Sequence, residues 1–178
     1  GDEFTLDGSQ RVINQIQFEY FAALNPFEFG QKGVLRLYAN NGPVTGEGGS
    51  KKPGDLLFES DDFSLRAGYN MVTVSDLRVR VPGEVTSVTW ALEFSGLSNI
   101  GKVGLLLHDE PGRGASAGTF WLNAGTKASL NWQLQNPADG RGNFSARIAA
   151  QTPPPVSLAI GSEVYLTGEP IKAIFAEG

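Results

Sequence analysis

The residues with the clearest chemical potential form a short polar loop, His108-Asp109-Glu110, directly after an apolar strand pattern. A histidine beside two carboxylates can bind a metal ion or transfer protons. The chain has no cysteine and only this one histidine, so thiolate metal sites, cysteine nucleophiles and most histidine relays lack their parts. No serine stands at a recognisable nucleophile turn. We therefore expect that the protein is not an enzyme and that His108 lies on a solvated loop.

Carboxylates are the second set of candidate ligands, because Ca²⁺ is bound by oxygen atoms. They occur as the pair Asp61-Asp62 and as the amino-terminal group Asp2, Glu3 and Asp7. Neither group has the regularly spaced acidic residues and glycine of a calcium-binding loop. The sequence predicts no cofactor, and a structural calcium ion is the one bound group that it leaves open.

The three tryptophans are candidate platforms for stacking against a sugar ring. Trp90 and Trp132 are in phase with the apolar residues of their strands, so we expect both in the core. Trp121 is in antiphase to Phe120 and Leu122, which predicts an exposed indole. If the protein binds a glycan, Trp121 is the residue at which the sequence places the platform.

Charge and the length of apolar runs argue against a nucleic-acid partner and against a membrane span. The chain has 14 lysine and arginine residues against 19 aspartate and glutamate residues, a net charge of -5. This is the wrong sign for gathering nucleic-acid phosphates, so no nucleic-acid partner is expected. No apolar run approaches the roughly 20 residues of a membrane-spanning helix, so no membrane span is expected.

The fold is predicted from an apolar–polar alternation with a period of two, which recurs along most of the 178 residues. Val88–Ser95 is a clear example, and turn sequences such as Asn40–Pro43 separate the runs. This pattern predicts an all-β protein, a two-sheet antiparallel β-sandwich of jelly-roll type. Gly42–Gly54, rich in glycine, is predicted to be a long exposed loop. The predicted core residues are Phe18, Leu37, Val79, Trp90, Phe94, Leu105, Trp132 and Ile148.

Pro153-Pro154-Pro155 interrupts the pattern, because consecutive prolines cannot donate ladder hydrogen bonds and favour a stiff spacer. The sequence thus divides into a β-sandwich domain at 1–151, a spacer at 152–155 and a carboxyl-terminal β-strand extension at 156–178. So short an extension cannot bury enough surface by itself and must dock on its own sandwich, on another copy or on a further domain. We favour another copy, with the amino-terminal strand as a second candidate. The residues predicted to carry self-association are Phe4, Leu6, Ile171, Ala173, Ile174 and Phe175.

Several short stretches carry a resemblance to known proteins: Asp2–Leu6, Leu37–Pro43, Pro53–Ser60 and Phe120-Trp121. In these the chain resembles the β-sandwich domains of secreted proteins from Planctomycetes, Verrucomicrobia and relatives, which often carry a PEP-CTERM sorting signal. The resemblance implies an extracellular or cell-surface location and supplies no catalytic residues.

Two functions follow as hypotheses from different classes. The first is an extracellular structural protein that self-associates through terminal β-strands, a filament or surface-matrix subunit whose partners are copies of itself. The alternative is a carbohydrate-binding module of jelly-roll type, with a polysaccharide as its partner.

Overall fold

The computed structural model describes residues 1–6, 9–24, 30–45, 49–98, 101–108, 118–137 and 142–153, together with the backbone of two strands at 156–160 and 163–167. The elements within these ranges are all β-strands. They are β1 (Asp2–Thr5), β2 (Val12–Ala23), β3 (Lys32–Ala39), β4 (Val44–Thr45), β5 (Ser50–Lys51), β6 (Leu56–Glu59), β7 (Phe63–Ser64), β8 (Gly68–Arg80), β9 (Ser87–Ser95), β10 (Lys102–Leu105), β11 (Phe120–Asn123), β12 (Trp132–Gln135), β13 (Ala146–Gln151), β14 (Val156–Ile160) and β15 (Glu163–Thr167). The predicted all-β class is confirmed.

One antiparallel sheet, called sheet A here, has the order β1-β9-β3-β6, and β7 continues the edge formed by β6. In it, β9 lies between β1 and β3, with Trp90 opposite Asp2 on one side and opposite Leu37 on the other. The amino-terminal strand is therefore part of its own sandwich.

The second antiparallel sheet, sheet B, is built around β2. β8 runs along one side of β2, while β10 and β13 share the other side. β10 pairs with β2 from Tyr20 to Ala23, and β13 pairs with it from Val12 to Phe18. This arrangement makes β8 an edge strand of sheet B.

The core lies between the inner faces of the two sheets, as in a β-sandwich. Ile16 and Phe18 of β2 have no exposed surface, and neither have Leu35 and Leu37 of β3. The rings of Phe18 and Trp90 stack across the core with centroids 5.9 Å apart. The predicted core is confirmed for Phe18, Leu37, Val79 and Trp90, and Phe94, Leu105 and Ile148 lie at its half-buried margin. It is wrong for Trp132, which is buried in a second cluster outside the sandwich core. The jelly-roll connectivity stays a prediction.

A third layer, called here the covering hairpin, consists of β11 and β12 and packs on the outer face of sheet A. It begins beside the amino-terminal strand, where the nitrogen of Trp121 donates to the carbonyl oxygen of Gly1 at 2.8 Å. Trp121 and Trp132 then pack with Tyr38, whose ring is 5.2 Å from that of Trp132 in an edge-on arrangement. The prediction of an exposed Trp121 is wrong: the residue is 1% exposed, because the covering hairpin folds it against sheet A.

The predicted long loop at Gly42–Gly54 is more regular than expected. Val44–Thr45 pairs with Ser50–Lys51, and backbone hydrogen bonds continue this ladder from Gly42 to Lys52 and from Gly54 to Ala39. The segment is therefore a short hairpin extending from the end of β3, with Val44 59% exposed.

Asn14 and the facing part of β8 form a bulge. Three residues, Asp76 to Arg78, lie between the pairs Gln15–Ser75 and Ile13–Val79, whereas β2 has only Asn14 there. Asp76 and Arg78 have positive φ angles of 58° and 51°, a conformation that costs most residues about 1 kcal/mol or more. The bulge ends the regular part of β8 at Ser75.

Replacing Trp90 with alanine tests the core. We expect the free energy of unfolding to fall by about 3–5 kcal/mol, because the indole is lost from a closely packed site. Leu122→Ala, at a residue that is 48% exposed on the covering hairpin, is the control and should change it by about 0.5 kcal/mol or less. Urea denaturation followed by tryptophan fluorescence and circular dichroism measures both, and equal losses would contradict the assigned faces.

Glycine at the bulge tests the backbone strain. Arg78→Gly removes the strain of a positive φ. The control Arg80→Gly places glycine at a position of β8 that is paired with Val12 and has no positive φ. We expect Arg78→Gly to be about 1 kcal/mol more stable than Arg80→Gly in the same denaturation assay. Equal stabilities would show that Arg78 carries no such strain.

Candidate self-association edge and aromatic face

The outer face of sheet A is largely closed. Besides the covering hairpin, a charged network crosses it: Arg36 binds Glu59 and Glu93, and Lys127 from the covering hairpin donates to Glu59 at 2.7 Å. Thr89, under this layer, has no exposed surface and donates its hydroxyl hydrogen to the Asn40 amide oxygen at 2.8 Å. This face already has an intramolecular partner.

The free side of β8 is a different kind of surface. Within the described residues, β8 pairs with β2 on one side and with no strand on the other. Residues 68–75, the regular part before the bulge, contain neither a charged residue nor a proline. The edge of sheet A that lies near β8, formed by β6 and β7, has Glu59 on β6 and Asp61 and Asp62 between the two strands. Residues 68–75 are thus an edge without the charges and prolines that usually prevent strand pairing.

The outer face of sheet B has exposed aromatic and apolar residues at one end. Phe21 is directly opposite Tyr69 on β8 and opposite Gly104 on β10. Phe21 is 50% exposed, Tyr69 60% and Met71 56%. A Cβ added to Gly104 would meet no atom within 4 Å, so the surface beside Phe21 is open. We call Phe21, Tyr69, Met71 and Gly104 the aromatic face.

Polar groups held by hydrogen bonds border the aromatic face. Glu19, one pair along β2 from Phe21, accepts a hydrogen bond from the Ser145 hydroxyl at 2.7 Å and another from Tyr69. These two bonds, that of Ser145 foremost, lower the pKa of Glu19, and the pKa of Tyr69 is raised by its bond to Glu19. Two residues farther along β2, Gln17 is paired with Thr73, and its Nε2 donates to the Thr73 Oγ1 at 3.0 Å.

The residues that the sequence suggested for chemistry form no common site where the structure describes them. His108 is exposed, and Asp109 and Glu110 lie outside the described residues. Asp62 forms an ion pair with Lys32, and Asp7 is not described. Among the described residues, no group of three His, Cys, Asp or Glu side chains is arranged to hold a metal ion.

The predicted self-association residues have two outcomes. Phe4 and Leu6 pack against the core of their own sandwich, and β1 pairs on one side with β9 of the same chain. Their part in self-association stays a prediction. Ile171, Ala173, Ile174 and Phe175 lie outside the described residues. The backbone of the extension forms a hairpin, β14 with β15, that is a two-stranded sheet of its own.

None of Phe21, Tyr69 and Met71 was predicted as a site residue, although β2 contains a signal for Phe21. Phe21 shares its face of β2 with Gln15, Gln17 and Glu19, so the period of two already places it outside the core. Tyr69 and Met71 have no such signal, because the face that they share on β8 is no more polar than the face of Asn70 and Val72.

Comparisons with known proteins returned no relative. No protein-family profile matches the chain, and neither a curated protein nor a solved structure is significantly similar to it. The resemblance to PEP-CTERM-associated domains therefore stays an expectation. In the part of the chain that the structure describes, no helix is both long and apolar enough to span a membrane.

The most perturbed carboxyl group lies away from these surfaces, between the sheets. Asp2 is 9% exposed and accepts hydrogen bonds from the backbone nitrogens of Glu3 at 2.8 Å and of Phe144 at 3.4 Å. Burial raises the pKa of Asp2 from 3.8 to about 6, against the opposing effect of these bonds. The folded state therefore keeps a proton on Asp2 at pH values where the unfolded chain has lost it.

This protonation predicts a pH dependence of stability. Between about pH 4 and pH 6 the folded state binds more protons at Asp2, so its contribution to the free energy of unfolding falls as the pH rises, by at most about 3 kcal/mol. Asp2→Asn should abolish that fall, whereas the control Asp55→Asn, at an exposed residue, should keep it. Urea denaturation at several pH values measures the slope, and parallel curves for Asp2→Asn and the unchanged protein would contradict the assignment.

Proposed function

We propose that this chain is a non-enzymatic structural protein that self-associates by strand addition, with residues 68–75 of β8 as the accepting edge. The proposal is carried by the length of this edge, which is uncharged, free of proline and, among the described strands, unpaired on one side. A strand added there would gain main-chain hydrogen bonds over about 26 Å, at about 3.3 Å per residue.

The side chains of the accepting edge suit a strand partner. Tyr69, Met71 and Thr73 point outward from sheet B and are exposed, while Val72 and Val74 pack against the core from the inner face. An added strand would therefore contact apolar side chains of β8 on both faces of the sheet. Because side chains alternate between the faces, these contacts would fix the register of the added strand. The bulge at Asp76 to Arg78 sets the end of the pairing, since its irregular backbone cannot continue the ladder.

The donor in this proposal is the carboxyl-terminal extension of another copy. Its hairpin pairs only within itself among the described strands, and two strands alone are marginally stable in water. Addition to β8 of a neighbour would join it to a supported sheet. Because donor and acceptor are different surfaces, such a contact repeats from copy to copy and produces a filament unless the rotation closes a ring.

The remaining parts of the proposal are an absence of catalysis and an extracellular or cell-surface location. The first is supported by a composition without cysteine and with a single, exposed histidine. The second rests on the sequence resemblance.

Lysines placed on the accepting edge test the proposal. Met71→Lys combined with Thr73→Lys should reduce association at least tenfold, because an added strand would bury two ammonium groups beside it. Gln15→Lys combined with Gln17→Lys adds the same charge to the same face on the central strand and should leave association unchanged. Sedimentation velocity over a range of concentrations, with electron microscopy for fibres, measures the effect.

The donor is tested by removing residues 156–178. We expect a folded monomer, since every strand that the structure describes in sheets A and B lies within residues 1–151. Association that survives the deletion but is lost with the two lysines would assign the contact to β8 of both copies and overturn the hairpin as donor. A protein that is monomeric at every concentration would overturn self-association itself.

A further inference from the structure

We propose that the aromatic face of sheet B is a binding site for a neutral glycan chain. This goes beyond self-association, because the site lies on the open face of the sheet whereas the accepting edge is the free side of β8. It also replaces Trp121, whose indole is buried and has no face to offer a sugar.

The aromatic face has a shape that suits a sugar ring. Phe21 and Tyr69 are paired on neighbouring strands, which places their Cβ atoms about 4.5–5.5 Å apart. Gly104 continues this row on β10 without a side chain, so the row crosses three strands, about 10 Å, with a shallow open end. The apolar C–H face of a pyranose ring lies flat on such a surface, where a bulky residue at Gly104 would obstruct it.

The polar border of the aromatic face offers hydrogen-bond partners to a sugar. The hydroxyl rim of a sugar needs hydrogen-bond partners next to the aromatic contact, and the Glu19 carboxylate lies between the Phe21–Tyr69 pair and the Gln17–Thr73 pair. Ser145 and Tyr69 hold this carboxylate in place, and Thr73 holds the Gln17 amide. Groups that are already ordered bind a ligand with a smaller loss of conformational entropy.

The same border distinguishes a glycan from other occupants. An apolar protein surface would cover the Glu19 carboxylate without supplying donors, at a high desolvation cost, whereas sugar hydroxyls donate to it. A polyanionic ligand would meet this carboxylate at the centre of the site. Two exposed cations lie farther along β2, Lys102 opposite Ala23 and Arg147 opposite Gln17. Neither belongs to the aromatic row.

The experiment measures binding of the full chain to soluble mixed-linkage β-glucan and xylan by calorimetry, and to insoluble cellulose and chitin by depletion. Polygalacturonate is the anionic comparison. We expect at least one neutral glycan to bind, and Phe21→Ala and Tyr69→Ala each to weaken that binding about tenfold or more. Tyr69→Phe keeps the ring and releases Glu19, so it should give a smaller loss. Leu134→Ala, at a residue 40% exposed on the covering hairpin, should bind like the unchanged protein.

Each other outcome counts against the proposal. Absence of binding to all four neutral glycans would overturn it, as would binding that Phe21→Ala and Tyr69→Ala leave intact while their melting temperatures are unchanged. Stronger binding to polygalacturonate, lost in high salt, would assign the face to an anionic ligand through Lys102 and Arg147. The measurements are repeated at a protein concentration at which sedimentation velocity finds only monomer, where binding that still depends on Phe21 and Tyr69 separates glycan affinity from association.

Discussion

Burial of the inner faces of β2, β3 and β9 is the constraint on which the rest of this structure depends. Phe18 of β2 stacks on Trp90 of β9, and Leu35 and Leu37 of β3 lie in the same cluster. Because side chains alternate strictly along a strand, fixing these residues inside also fixes their neighbours outside. Shifting β2 by one residue would expose Ile16 and Phe18 and bury Gln17 and Glu19. The positions of Phe21 and Glu19 on the outer face are thus consequences of the core.

The two outer faces differ because the chain returns to only one of them within the described residues. After β10 the covering hairpin crosses sheet A, where Trp121 and Trp132 enclose Tyr38 and Lys127 reaches Glu59. Sheet B has no comparable layer in the part of the chain that the structure describes, and its outer face keeps half-exposed aromatic rings beside hydrogen-bonded polar groups. Such an asymmetry covers sheet A from within the chain and leaves an exposed apolar patch on sheet B, the kind of surface at which partners bind.

The edges of the sandwich show a similar division. The edge of sheet A at β6 and β7 is accompanied by acidic residues, and Asp62 is engaged by Lys32. The edge of sheet B at β8 has only the bulge, which interrupts it after Ser75 and leaves the preceding eight residues regular. Strand addition at that edge and glycan binding on the adjacent face are compatible, because they use different atoms of β8: its backbone for the first and the Tyr69 ring for the second. Copies joined in this way would present their aromatic faces repeatedly along an assembly, which raises avidity for a polymeric ligand.

The sequence by itself determined the strand character and the inward side of most strands. Alternation placed Phe18, Leu37, Val79 and Trp90 in the core correctly, because a period of two is a local property of the backbone. It also predicted the strands of the extension, and β13 ends at Gln151, directly before the spacer.

Only the tertiary structure decided what covers the opposite side of each strand. Trp121 alternates out of phase with its apolar neighbours, yet it is buried because the covering hairpin folds onto Tyr38 and Ala91, residues distant in sequence. Phe21 has the same outward phase and stays half exposed because no described segment packs over sheet B. Periodicity states which side of a strand a residue occupies, whereas burial of that side depends on long-range packing, which no local pattern contains.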